Sequence, residues 1–131
     1  MRYLLDTSVA LWSVVEPHKL NLRATAALKD PTSILYLSSA SVWEIAIKYA
    51  TGNLRLHTDP HGLIPEMMAE LRSESLAISH RHAVEAGALP KHHDDPFDRM
   101  LIAQARVEGL ILLSADKMMK RYDIELLLGG R

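Results

Sequence analysis

The feature that most constrains this chain is a set of short β-rich runs that read as continuous, not alternating. They are Tyr3-Leu4-Leu5, Ile34-Leu35-Tyr36-Leu37, Leu76-Ala77-Ile78, Leu110-Ile111-Leu112-Leu113 and Ile124-Glu125-Leu126. A strand with one wet face alternates apolar and polar residues, whereas a strand covered on both faces does not. Segments of helical period lie between the runs. Val42, Ile45, Ala46 and Tyr49 fall at i, i+3, i+4 and i+7, with Gly52 placed to end that helix. Pro65 stands near the start of a second segment, Leu63 to Leu71, as a first-turn proline. A third helix is expected from Pro96 to about Glu108, closed by Gly109. Strands alternating with helices imply right-handed crossovers and parallel pairing. The expected fold is α/β: a three-layer α/β/α sandwich around a mostly parallel five-stranded sheet, forming one domain over residues 1–131.

Composition narrows the function. Fifteen basic and sixteen acidic residues give a net charge of −1, which excludes a general polyanion-coating protein. Any nucleic-acid contact must therefore be local. A chain that is 48% apolar is not of the disordered class. With no cysteine there is no disulfide framework, thiolate zinc site or cysteine nucleophile. No stretch approaches the ~18 apolar residues of a membrane span, so no membrane partner and a cytoplasmic location are expected.

Four acids occupy related places. Asp6 follows the first strand directly, and Asp116 lies three residues past the fourth, in Leu113-Ser114-Ala115-Asp116. Glu44 is read in the first turn of the helix after the second strand, and Asp98 in the first turn of the helix before the fourth. In a parallel sheet the connecting helices run back against the strands. Helix N-termini and strand C-termini therefore share one edge, the edge at which open α/β folds bind ligands. All four carboxylates should gather there.

Each acid also has a plainer account. Ser41-Val42-Trp43-Glu44 has the spacing of a capping box. Asp95-Pro96-Phe97-Asp98 reads as an N-cap aspartate, a proline at N1 and an acid at N3. Asp116 can cap a short helix from Lys117 to Tyr122, and Asp6 can open a turn through Thr7 and Ser8. Capping alone, however, does not require four acids on one edge. Asp98 also has Leu101, Ile102 and Ala105 on its own helix face, so it is not on a solvated side. Clustered carboxylates repel one another unless a cation neutralises them, and an all-oxygen donor set suits a hard ion, Mg²⁺ or Mn²⁺.

These residues carry a resemblance. Leu4-Leu5-Asp6-Thr7-Ser8-Val9-Ala10-Leu11-Trp12 and Ser39-Ala40-Ser41-Val42-Trp43-Glu44-Ile45-Ala46-Ile47-Lys48 are the first two matching stretches. Asp95-Pro96-Phe97-Asp98-Arg99-Met100-Leu101-Ile102-Ala103-Gln104-Ala105 and Leu112-Leu113-Ser114-Ala115-Asp116 are the others. In this order they resemble the PIN-domain ribonucleases, most closely the VapC-type toxins of toxin–antitoxin pairs, across essentially the whole chain. The resemblance implies a PIN-like fold and a catalytic acidic quartet of Asp6, Glu44, Asp98 and Asp116. It implies Mg²⁺ (or Mn²⁺) as cofactor, RNA as substrate, a homodimer, and silencing by a cognate antitoxin protein. Ser8 matches a small polar position supporting the first aspartate. Ser114 stands where the family often has threonine and keeps the hydroxyl.

On this reading Asp6, Asp98 and Asp116 hold the metal, directly or through water, and Glu44 completes the shell or orients the attacking water. Lys48, Lys91, Arg99 and Lys117 are candidates for gripping the RNA backbone. Arg99 stands out because it shares the Asp95-to-Ala105 stretch, while Glu44 and Lys48 form an ordinary i, i+4 pair. His92-His93-Asp94-Asp95 is read as a polar loop, not a metal site. Trp12 and Trp43 are read as core. Alternatives of other kinds are an RNA-processing nuclease outside a toxin–antitoxin pair, a phosphoryl-transfer domain with a nucleophilic aspartate, and a degenerate PIN-fold interaction module. Asp6-Thr7-Ser8 lacks the second acid of an Asp-x-Asp phosphotransferase, and all four acids being intact counts against degeneration.

Overall fold

A computed structural model describes residues 1–131. Five strands form one sheet in the order β3-β2-β1-β4-β5, and every neighbouring pair is parallel. They are β1 (Arg2–Leu5), β2 (Ile34–Ser38), β3 (Glu74–Leu76), β4 (Ile111–Ser114) and β5 (Leu126–Leu128). Six α-helices connect them: α1 (Thr7–Val15), α2 (Leu22–Lys29), α3 (Ser39–Ala50), α4 (Pro60–Leu71), α5 (His80–Ala88) and α6 (Pro96–Glu108). The expected α/β sandwich with a parallel five-stranded sheet is therefore present.

Successive strand residues divide between two cores, as the pleat requires. Tyr3, Leu5, Leu35, Leu37 and Leu113 face one layer with Val9, Ala24, Leu63 and Met67 of α1, α2 and α4. Leu4 and Leu112 face the other, with Ala86 of α5 and Leu101, Ile102 and Ala105 of α6. Leu4, Leu5, Leu112 and Leu113 are fully buried. Each contributes roughly 1.5–3 kcal/mol of transfer free energy, so the two central strands anchor both layers.

Several boundaries differ from the sequence expectation. β3 and β5 are displaced by two residues from the runs expected there. A shift of two keeps every side chain on its own face. The helix expected to begin with the Ser41–Glu44 box begins earlier. Ser38, the last residue of β2, is its N-cap, accepting from the Ala40 N–H. Glu44 is thus in the second turn and does not cap. Likewise α4 starts at Pro60, capped by Asp59, so Pro65 lies inside the helix and not in its first turn. Asp95, Pro96 and Gly109 occupy the expected positions around α6, and Gly109 takes a left-handed conformation (φ 65°) that a Cβ would strain. No helix is long and apolar enough to cross a membrane.

Candidate active site

The sheet order places the chain's reversal between β1 and β4. The connection from β1 leads toward β2 on one side, while β4 and β5 lie on the other, so their C-terminal ends border a crevice. Asp6 is the first residue past β1 and Asp116 the second past β4. Both are also N-caps. Asp6 Oδ1 accepts from the Thr7 N–H that begins α1 (2.8 Å), and Asp116 Oδ1 accepts from the Met118 N–H at a 3₁₀ turn (2.9 Å). Here the capping and functional accounts of these acids coincide.

Asp6 is buried and held from both sides, because its Oδ2 accepts from the Ser114 hydroxyl at 2.6 Å. Burial raises its pKa above the usual carboxylate value. The Ser114 and Thr7 hydrogen bonds oppose that rise, and the charges of Glu44 and Asp116 add to it. Ser114 Oγ also accepts from the Asp116 N–H at 3.0 Å, so one hydroxyl ties the two aspartates together. Ser8, in contrast, is exposed, and the hydrogen bonds on Asp6 come from Thr7 and Ser114. The Thr7 hydroxyl instead reaches Ser41 Oγ (2.8 Å), joining α1 to α3 beside the site.

Glu44 is buried on α3, and its Oε2 accepts from Lys48 Nζ at 2.7 Å. The Glu44 hydrogen bond holds the Lys48 pKa above its ordinary value, with Asp95 and Asp98 contributing through their charge. The ammonium of Lys48, half-exposed, therefore sits at the rim of the acidic cluster.

Asp98 differs from the other three. Its backbone N–H is used in the Asp95 cap, but its carboxylate accepts no hydrogen bond from the protein. Desolvation, then repulsion from Asp6, Asp95 and Glu44, pushes its pKa up to about 7. A half-buried carboxylate among like charges with no donor of its own is a group in need of a cation.

The structure adds a residue that sequence reasoning set aside. His93 is buried, and its Nε2 lies 2.8 Å from Asp116 Oδ2. His93, Asp98 and Asp116 each bring one ligand atom to within 4.8 Å of the others. From sequence the histidine run is expected to be a polar loop. His92 and Asp94 fit that description, but the loop folds back so that His93 points into the cluster. For Asp116, burial raises the pKa, but the His93 hydrogen bond and the Met118 N–H outweigh it and hold the group below its ordinary value.

Two further expectations are corrected. Arg99 does not offer its guanidinium to a substrate. Nη1 donates to the carbonyls of Pro90 (3.1 Å) and His93 (3.3 Å), and Nη2 to those of Ala86 (2.9 Å) and Leu89 (3.0 Å). Four of its five donors are thus spent on backbone. Trp43 is not core. It is 60% exposed and meets the Phe97 ring edge-on, with centroids 5.3 Å apart. Trp12 does pack against the core.

The donor set fits a hard divalent cation: carboxylate oxygens throughout, one of them, on Asp98, without a protein partner, with both nitrogens of the adjoining His93 ring already engaged. A hollow of about 460 Å³ at the opposite end of the sheet, between Met1, Tyr3, Arg23 and Leu126, holds no such cluster.

The chain is similar to known proteins in both sequence and fold. Ribonuclease VapC22 of Mycobacterium tuberculosis (strain ATCC 25618 / H37Rv) is 27% identical over 120 residues, covering 91% of this chain and 90% of that protein. The crystal structure of VapBC2 from Rickettsia felis bound to a DNA fragment from their promoter is 16% identical, with a TM-score of 0.75 over 99% of this chain and 100% of that one. DNA-bound VapBC from Salmonella typhimurium is 17% identical, with a TM-score of 0.68 over 97% of each chain. The PIN domain family model matches residues 3–125. With the parallel sheet, its crevice and the acids around it, that match shows that the chain belongs to the PIN-domain family.

Proposed function

We propose that this chain is a Mg²⁺- or Mn²⁺-dependent endoribonuclease that hydrolyses RNA phosphodiester bonds, acting as the toxin of a toxin–antitoxin pair. The observation that carries the reading is Asp98: a carboxylate with no donor, raised to about 7, facing Asp116 and His93 and repelled by Asp6 and Glu44. The name of VapC22, a ribonuclease alignable over nearly the full chain, supports the reaction class. The VapBC complexes with the same fold support an antitoxin partner. We read residues 1–131 as one nuclease domain, cytoplasmic and homodimeric.

Asp6, Asp98 and Asp116 would hold the ion, directly or through water. When bound, a divalent cation of this kind polarises the phosphoryl oxygens and lowers the pKa of associated water. The chain's own residues do the rest. Thr7 and Ser114 leave Asp6 little freedom, which fixes one wall of the site before any ligand arrives. Glu44, next to Lys48, accepts or orients a proton of the attacking water. Lys48 offsets the acidic rim that would otherwise repel an anionic backbone. Trp43, exposed beside Phe97 and adjacent in sequence to Glu44, gives an unstacked base of single-stranded RNA a surface to rest on.

The test is cleavage of a labelled single-stranded RNA by the purified protein. Cleavage with Mn²⁺ or Mg²⁺ that stops with chelator, and that Asp98→Asn and Asp6→Asn abolish, is expected. Undiminished cleavage in chelator or in both variants would overturn the assignment.

A further inference from the structure

His93 occupies a place that neither capping nor the acidic quartet explains. It is buried in a loop, yet both ring nitrogens are engaged. A carboxylate can only accept, so Nε2 carries the hydrogen in the 2.8 Å bond to Asp116 Oδ2. Nδ1 is met by the Tyr122 hydroxyl at 3.1 Å. Tyr122 is buried and packs on both neighbouring rings, with centroids 5.0 Å from His92 and 5.4 Å from His93. The ring is therefore fixed in its plane as well as at its polar ends.

The backbone around it is fixed too. The segment from Leu89 to Asp95 has no helix or strand of its own, so something else must hold it. The Arg99 guanidinium does, gripping the last turn of α5 through Ala86, the segment's start at Leu89 and Pro90, and His93's own carbonyl. Arg99 lies one residue after Asp98 on α6, so the clasp shares its base with the least-held acid of the site. A planar fork reaching several carbonyls at once is what guanidinium provides and ammonium does not.

Asp116 needs this support more than Asp6 does. Asp6 is buried and has two donors on elements of the sheet edge, whereas Asp116, two residues past β4, is more exposed. With Met118 N–H on Oδ1 and His93 on Oδ2, its carboxylate has one orientation, with a lone pair on each oxygen left for a ligand. We propose that His93 is a positioning residue for the metal site, orienting Asp116 through its Nε2–H, and that Arg99 is the clasp that places His93. The proposal rests on the metal-site reading above.

It is tested by calorimetric titration of Mn²⁺ into the apo protein of residues 1–131. Wild type binds, and Asp98→Asn does not. His93→Ala binds 10–100-fold more weakly, the range seen when a partner that orients a metal ligand is removed. His93→Gln, whose amide nitrogen overlays Nε2, recovers binding to within about threefold of wild type because it restores the donor. Arg99→Lys falls between. Circular dichroism and melting of each apo variant confirm the fold, and His93→Gln and Arg99→Lys carry the test if His93→Ala does not fold. Wild-type affinity in His93→Ala, or in Arg99→Lys, overturns the proposal while leaving the metal site intact. Affinity in His93→Gln as low as in His93→Ala also overturns it, because the ring itself would then be the ligand. Absence of Mn²⁺ binding by wild type defeats the metal-site reading itself.

Discussion

Two buried histidines in this molecule make the same pairing and have different consequences. His82 and His93 each place Nε2 against a carboxylate, Glu108 at 3.1 Å and Asp116 at 2.8 Å. Around His82 every group is answered. The Ser79 N–H donates to Nδ1 at 3.0 Å, which leaves the hydrogen on Nε2 for Glu108. Gln104 approaches the same ring, and the Ser38 hydroxyl donates to Gln104 Oε1 at 2.6 Å. This closed network ties α5, α6 and the end of β2 together. His93 is equally well held, but its carboxylate adjoins Asp98, which has no donor and three acidic neighbours. A histidine–carboxylate pair thus carries no function by itself. The unanswered group beside it marks the site.

The difference can be broken from either side. The largest effect is expected at the unanswered group. Asp98→Asn should lower metal-dependent RNA cleavage by at least ~10³-fold, about 4 kcal/mol of transition-state stabilisation. Glu108→Gln, at the other histidine's partner, should leave initial rates within about twofold. On the stability side the order reverses. His82→Leu takes an acceptor from the buried Gln104 amide and from the part-buried Ser79 N–H, and should cost ~2–4 kcal/mol in urea unfolding. It should leave Mn²⁺ affinity unchanged.

A pH series sharpens the contrast further. Asp98 keeps its proton in the folded chain to about pH 7, while the unfolded chain loses it near 3.8. Between those values the folded state binds more protons, so rising pH costs stability, and the loss levels off above about 7. The apo Asp98→Asn variant should therefore gain melting temperature relative to wild type as pH rises from 4 to 7. Saturating Mn²⁺ should abolish that gain, since the cation stabilises the charged form and binds the native state. A constant difference between the two proteins across the series would refute the burial of an unpaired Asp98. The smallest effect is expected at the rim. Lys48→Ala should change stability by no more than ~0.5 kcal/mol, because half of the lysine side chain is in water.

Much of this was legible in the sequence because it follows from one-dimensional pattern. Continuous apolar runs require two covering layers, and the edge shared by strand ends and helix starts follows from parallel pairing. The Asp95-Pro96 start and Gly109 end of α6 are local chemistry and lie where expected. Other features depend on neighbours that sequence does not show. Thr7–Val15 is apolar on most sides, so it has no periodic stripe to announce a helix after β1. The stretch Ser38-Ser39-Ala40-Ser41 offers several possible caps, and the residue that ends β2 takes the role. β3 is an edge strand recruited by backbone pairing through Glu74 and Ser75, which have little intrinsic strand signal.

The site divides in the same way. The acids were legible because their positions are set by the ends of elements. His93 was not, since its partner is 23 residues away and its loop is held by a side chain from the following helix. Arg99 misled because an arginine beside clustered acids looks the same in sequence whether it faces a substrate or four carbonyls. A useful signal was present in the pairing of a loop histidine with an arginine four residues into the next helix.

The most direct test of the central claim is anomalous scattering from a crystal of the chain soaked in Mn²⁺. The account predicts a peak between the carboxylates of Asp6, Asp98 and Asp116 in wild type, lost in Asp98→Asn. A fully occupied ion elsewhere on the molecule, with no density among these three aspartates, would contradict it.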